Sequence, residues 1–138
     1  MLIRGFAEND RDAVVRLWQR CELTRPWNDP HRDIDRKLSV QPELFLVGEA
    51  NGVVVASVMA GYDGHRGWLN LLAVDPDHQR RGYARELVAA AEQRLTTLGC
   101  PKLNLQVRAT NHAVLAFYDS IGYRPDDVVS LGKRLIPD

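Results

Sequence analysis

The sequence predicts an α/β or α+β fold, one mixed sheet with helices interleaved between its strands. Three observations carry this. Two β-rich runs in "LFLVGEANGVVVASVMAGY" flank Asn51-Gly52, a pair that accepts the positive φ angles of a two-residue hairpin turn. "WLNLLAV" then leads, after a short turn, into a segment with helical period. Strand-like and helix-like segments alternate along the rest of the chain, as a mixed layer architecture requires.

Each element has its own signal. "LIRGF" at residues 2–6 reads as a first strand. Asn9 or Asp10 can cap a helix in which Val14, Leu17, Trp18 and Cys21 share one face. In "RPWNDPHRDIDRKLS", Asp29 is the cap of a second helix and Pro30 its first residue. Asp33 and Asp35 follow, and Ile34 and Leu38 form its buried side. After the hairpin, "DGHRG" is a loop. "WLNLLAV" (68–74) is nearly continuous in apolar character, which predicts a central strand. Ala84, Leu87, Val88, Ala91, Leu95 and Leu98 keep a helical period that Gly99 ends. "KLNLQV" is a fifth strand and residues 111–121 a helix. "DVVSLGKRL" reads as a last strand, which could sit inside the sheet or pair across a homodimer.

At 138 residues the chain suits one domain spanning 1–138. Its formal net charge is zero, with 18 basic and 18 acidic side chains, which argues against nucleic acid as a partner. The 2 cysteines, Cys21 and Cys100, read as reduced thiols of a cytoplasmic protein. No apolar run suits a membrane span, and no signal peptide is evident.

Gly82 is the position most in need of explanation. It stands directly behind Arg80 and Arg81, in the expected first turn of a helix, where glycine is unfavourable. A helix start leaves N–H groups unpaired and carries partial positive charge, so a phosphate can dock there if the backbone is bare. The small Ala84 keeps the same face low. A solvated basic loop with an incidental glycine is the alternative reading. Neither G-x-G-x-x-G nor G-K-[ST] occurs.

The surroundings of Gly82 carry a family resemblance. "LLAVDPDHQRRGYARELV" resembles the acetyl-CoA signature of the GNAT N-acetyltransferases, Q/R-x-x-G-x-G/A after a V-x-P turn. Here it is Gln79, Arg80, Arg81, Gly82, Tyr83 and Ala84, behind Val74 and Pro76. Downstream, "NHAVLAFYDSIGY" is similar to the family's N-x-x-A-x-x-F/L-Y-x-x-x-G-F/Y motif through Asn111, Ala113, Phe117, Tyr118, Gly122 and Tyr123. The motifs stand in the family's order and the resemblance covers the whole chain. "RPWNDP", "GYDGHRG", "GCPKLN" and "SLGKRLI" resemble the small bacterial YpeA-type subgroup.

The resemblance implies a single GNAT-type domain with a mostly antiparallel sheet, a splayed strand pair and about four helices. It implies acetyl-CoA as co-substrate and no metal. The pantetheine arm would lie in the splayed gap against backbone groups of Leu72, Ala73 and Val74, as a peptide adds to a sheet edge. The N–H of Leu72 would polarise the thioester carbonyl. The pyrophosphate would take N–H bonds from Arg80, Gly82, Ala84 and Arg85. Asn111 and Tyr118, seven residues apart, would share a helix face about 10 Å apart along its axis. Asn111 would point toward the pantetheine and Tyr118 would protonate the departing thiolate. From the helix alone, a core tyrosine packed with Val114, Phe117 and Ile121 is the alternative.

Several family members carry a glutamate base on the fourth strand. Here the only polar side chain in "WLNLLAV" is Asn70, which cannot take up a proton. Water, or Glu22, Asp29, His31, Asp63 or His65, would have to serve. The acceptor is expected over "CELTRPWNDPH" and "GYDGHRG", with Trp27, Tyr62 and Trp68 as an apolar wall. Glu22, Asp29 and Asp63 would attract the cation. The leading function is acetyl transfer from acetyl-CoA to a primary amine of a small molecule or protein, by direct attack in a ternary complex. The alternatives are a non-catalytic acyl-CoA-binding regulatory module and an interaction domain without cofactor.

Overall fold

The computed structural model describes residues 1–138, in two compact units, Met1–Leu105 with Asp138, and Gln106–Pro137. The first unit holds a five-stranded sheet: β1 Leu2–Gly5, β2 Phe45–Ala50, β3 Val53–Tyr62, β4 Gly67–Val74 and β5 Leu103–Asn104. The strands lie in the order β1-β2-β3-β4-β5, and every neighbouring pair is antiparallel except β4–β5, which is parallel. Helices α1 (Arg11–Arg20), α2 (Pro30–Leu38) and α3 (Tyr83–Thr97) complete this unit. The expected mixed, mostly antiparallel sheet is thus formed. No helix is long and apolar enough to cross a membrane.

Local chemistry explains most boundaries. Asn51 and Gly52 take φ 53° and 76°, the left-handed pair that a tight hairpin turn requires. The Asp29 carboxylate accepts from the N–H of His31 at 2.9 Å and starts α2, with Pro30 in the first turn. Val14, Leu17 and Trp18 bury the inner face of α1 against Ile34, Phe45, Val47, Met59 and Ala73. Each such side chain contributes about 1.5–3 kcal/mol by leaving water. The Trp18 indole N–H donates to the Ser57 hydroxyl at 3.0 Å, so neither buried polar group is left unpaired. Leu87, Val88, Ala91 and Leu95 bury the opposite layer, whereas Leu98 caps the end of α3 and is exposed.

Strand β4 carries a feature that the sequence does not announce. Its place between β3 and β5 is the central one that the apolar run predicts, but the run hides an irregularity. The ladder slips between Ser57 and Met59 of β3, so that Leu71 and Leu72 together stand opposite Val58, and Leu71 takes φ 53°. This is a β-bulge. It lengthens the apolar run by one residue, while Trp68 and Asn70 stay exposed. The fifth strand is also shorter than expected, because β4 and β5 share only the pairs Gly67↔Leu103 and Trp68↔Asn104. Gly67 is bare for packing: a Cβ there would collide with the Cys100 sulfur.

The second unit contains α4, His112–Ser120. Gly122 at φ 100° turns the chain after it, and the N–H of Tyr123 returns to the Tyr118 carbonyl at 3.0 Å. The strand expected at "DVVSLGKRL" does not form. A strand exists only where a ladder satisfies its backbone, and β-rich composition supplies no ladder. Val128, Val129 and Leu131 are accordingly exposed, Leu131 to 90%.

Candidate functional site

The bulge governs what β4 presents. Asp75 N–H donates to the Val55 carbonyl at 2.8 Å, and Ala73 stands opposite Ser57. Antiparallel pairing alternates, so Leu72 and Val74 turn their backbone groups to the other edge. No strand pairs with that edge beyond Trp68. The Val74 carbonyl instead accepts from the Cys21 thiol at 3.2 Å and the Gln79 side-chain amide at 3.3 Å. Free N–H and C=O groups in a row are a template for an extended ligand with amide groups of its own.

The turn after β4 is built by Asp75, whose carboxylate accepts from the Asp77 N–H at 2.9 Å and opens a short 3-10 turn, Pro76–His78. Arg80 and Gly82 then take φ 64° and 80°. Gly82 is therefore not in the first helical turn, as the sequence suggested, but immediately before it, as a cap with no side chain to offer. A Cβ on Gly82 would meet nothing within 4 Å, so its left-handed backbone, and no neighbouring protein atom, is what requires glycine. The space above it is open. The N–H groups of Gly82, Tyr83, Ala84 and Arg85 find no acceptor within the protein. Left-handed residues in such a turn gather N–H groups into an anion-accepting concavity. Arg80, Arg81 and Arg85 stand exposed around it.

In the second unit Asn111 precedes α4 and caps it, its side-chain oxygen accepting from the Val114 N–H at 3.3 Å. Asn111 is thus the cap of the helix that was expected to run from 111, its carbonyl accepting from the Leu115 N–H at 3.1 Å, and its amide N–H groups are what it has left to offer. Tyr118 is buried, with its ring edge-on to Phe117 and Tyr123 at 5.0 and 5.4 Å. Burial pushes its phenol up to about 12.

Of the expected acceptor residues, Glu22 and Trp27 are exposed on the loop after α1, Glu22 with φ 58°. Asp29 spends one oxygen on the α2 cap. Asp63 accepts from the N–H groups of His65 and Arg66, both at 2.8 Å. The Arg66 bond first, and then the His65 bond, hold its carboxyl below the usual range, with a smaller contribution from the Trp68 side chain. Asp63 therefore stays ionised, which suits attraction of a cation better than uptake of a proton. Tyr62 is fixed by Gln41, which donates to its carbonyl at 3.0 Å and accepts from its N–H at 2.8 Å. No group of three His, Cys, Asp or Glu side chains could hold a metal ion.

Nothing in the sequence marks Arg20 or ties Cys21 to β4, and little marks Leu71. Arg20 pairs with Asp75 and Asp77, and Cys21, expected as a reduced thiol on the face of α1, reaches the Val74 carbonyl. The doubled Leu71-Leu72 was the one available hint of the bulge.

Comparison with known proteins places the whole chain among relatives of one kind. Residues 12–123 match the model of the Acetyltransferase (GNAT) family. An acetyltransferase of Yersinia pestis (strain Pestoides F) is 52% identical over 138 residues, 100% of this chain and 98% of its own. The ribosomal-protein-S18-alanine N-acetyltransferase of Escherichia coli superposes with a TM-score of 0.71 at 28% identity, covering 88% of this chain and 76% of its own. AAC(6')-Iy, solved with a CoA-linked bisubstrate analogue, superposes with a TM-score of 0.78 over 96% of this chain and 97% of its own. At 20% identity, that likeness concerns the fold alone.

Proposed function

The chain belongs to the GNAT acetyltransferase family, and on that premise we propose that it transfers the acetyl group of acetyl-CoA to a primary amine by direct attack within a ternary complex. The observation that carries this reading is the unpaired edge of β4 running into a turn whose N–H groups have no acceptor. These residues fit the ligand. Leu72, Ala73 and Val74 would hold its pantetheine amides, with Gln79 yielding the Val74 carbonyl. Arg80, Gly82, Ala84 and Arg85 would bind its pyrophosphate, beside Arg81 and Tyr83.

When bound, acetyl-CoA supplies a thioester activated toward amines. The Leu72 N–H would stabilise negative charge developing on the carbonyl oxygen. Tyr118, with a phenol at about 12, keeps its proton at neutral pH and would donate it to the leaving sulfur. Asn111 would orient the arm through its amide N–H groups. The ammonium substrate loses its proton to water or to a carboxylate or imidazole of the acceptor loops, and Glu22, Trp27, Asp29 and Asp63 bind it. We take residues 1–138 as one catalytic domain. We place it in the cytoplasm, in keeping with the free thiols of Cys21 and Cys100.

Calorimetric titration with acetyl-CoA tests the proposal, with Gly82→Val as control. Saturable binding that Gly82→Val abolishes supports it, and a free-thiol assay over a panel of amines then seeks the acceptor. Binding without turnover on any amine would favour a non-catalytic acyl-CoA-binding module, to which Asn70, in place of a strand carboxylate, already points. No binding by folded protein ends the acetyltransferase reading.

A further inference from the structure

Arg20 is the last residue of α1, and its guanidinium reaches the turn that follows β4. Its Nε and Nη2 meet the two carboxylate oxygens of Asp75 at 3.2 and 3.3 Å, and Nη2 meets Asp77 at 3.1 Å. Both carboxylates stand a few residues before the segment 79–85, whose free N–H groups and arginines suit an anion. Left bare, they would oppose it. Such opposition between surface charges is weakened by salt. Asp75 has a second duty, because its oxygen caps the Pro76–His78 turn.

We infer that Arg20 is a positioning residue for anion binding at the turn: it neutralises Asp75 and Asp77 and fixes Asp75 as the cap that presents the N–H groups of residues 82–85 to a diphosphate. The inference deepens the proposed function and rests on it for the identity of the ligand. Arg20 itself touches neither the segment 79–85 nor any of its arginines through a hydrogen bond or ion pair. It acts through the two aspartates, and through the tie that the next residue, Cys21, makes to Val74.

The test titrates wild-type protein, Arg20→Gln, Asp77→Asn and the double variant with acetyl-CoA, and separately with inorganic pyrophosphate. Arg20→Gln should weaken both ligands about three- to tenfold at low salt, the size expected for one surface charge. The loss should shrink as salt rises. Adding Asp77→Asn should recover part of it, since one opposing carboxylate is gone. Turnover with acetyl-pantetheine, which lacks the diphosphate, should change less than about twofold by the same electrostatic argument. Unchanged diphosphate affinity in Arg20→Gln overturns the inference. So does a loss that salt and Asp77→Asn leave untouched, because that is the mark of a merely structural arginine. Should Arg20→Gln fail to fold, Asp77→Asn alone must tighten pyrophosphate binding. Wild-type protein that binds pyrophosphate but not acetyl-CoA would sink the acetyltransferase reading and leave the Arg20 comparison intact. Protein that binds neither overturns both.

Discussion

The thiol of Cys21 donates a hydrogen bond to the carbonyl oxygen of Val74 across 3.2 Å, tying the end of α1 to the last residue of β4. Burial, the largest influence, raises its pKa above the ordinary thiol value. The thiol therefore stays protonated and remains a donor. Iodoacetamide should label Cys21 more slowly in the folded protein than in the denatured chain, because the thiolate is the reacting form. A raised pKa in the folded state means that stability is full below the unfolded thiol's pKa and falls as pH rises past it. Equal labelling rates in the two states would contradict the buried, bonded thiol.

Tyr118 is one of 4 tyrosines, and its burial pushes its phenol up to about 12. Ultraviolet titration should show one tyrosine ionising late, a step that Tyr118→Phe removes. The stability linked to this group is present below pH 10 and lost as pH rises toward 12, because the unfolded phenol ionises first. For function, Tyr118→Phe should keep acetyl-CoA affinity and slow turnover on the order of a hundredfold, as loss of a general acid does. Unchanged turnover removes Tyr118 from the chemistry.

Gly82 sits at φ 80° with open space where a Cβ would point. Gly82→Ala should therefore cost about 1–2 kcal/mol through backbone strain alone, without a clash. Thermal melting measures this cost. Acetyl-CoA affinity should fall further than stability does, because the added methyl occupies the space above the turn. A variant that loses neither would mean that the turn relaxes freely.

Asp29 and Asp63 both spend oxygens on backbone N–H groups. Asparagine caps a helix about as well as aspartate, so Asp29→Asn and Asp63→Asn remove charge while leaving an acceptor in place. The Michaelis constant for a cognate amine should rise in each and rise further in the double variant, with melting temperatures little changed. A flat Michaelis constant defeats the idea of an acidic acceptor pocket.

What was legible in the sequence follows from range. Asn51-Gly52 and Asp29-Pro30 fold as written because the residues that decide those turns are neighbours in the chain. Gly82 could be singled out for the same reason, although its conformation was misjudged by one position at the helix boundary. The bulge was hidden because an inserted apolar residue merely extends an already continuous apolar run, and only register against β3 reveals it. Arg20 and Asp75 are 55 residues apart, and nothing local marks either as a partner. "DVVSLGKRL" misled for the opposite reason, having the composition of a strand without a ladder to join.

The extra residue in β4 leaves the strand out of phase with itself. Gly67 lies against Leu95 and Cys100, at the α3 side, whereas Ala73, six residues on and of the same parity, belongs to the cluster around Trp18. Removing Leu71 would leave Asn70 against Met59 and Ala73 against Ser57 in an unbroken ladder, so both halves would keep their faces and only the bulge would go. Length can change in the loop before β4 or in the residues between α1 and α2 without disturbing this arrangement. At position 71 a one-residue deletion spares the core as well, and what it removes is the local twist that the bulge gives to the free edge of β4.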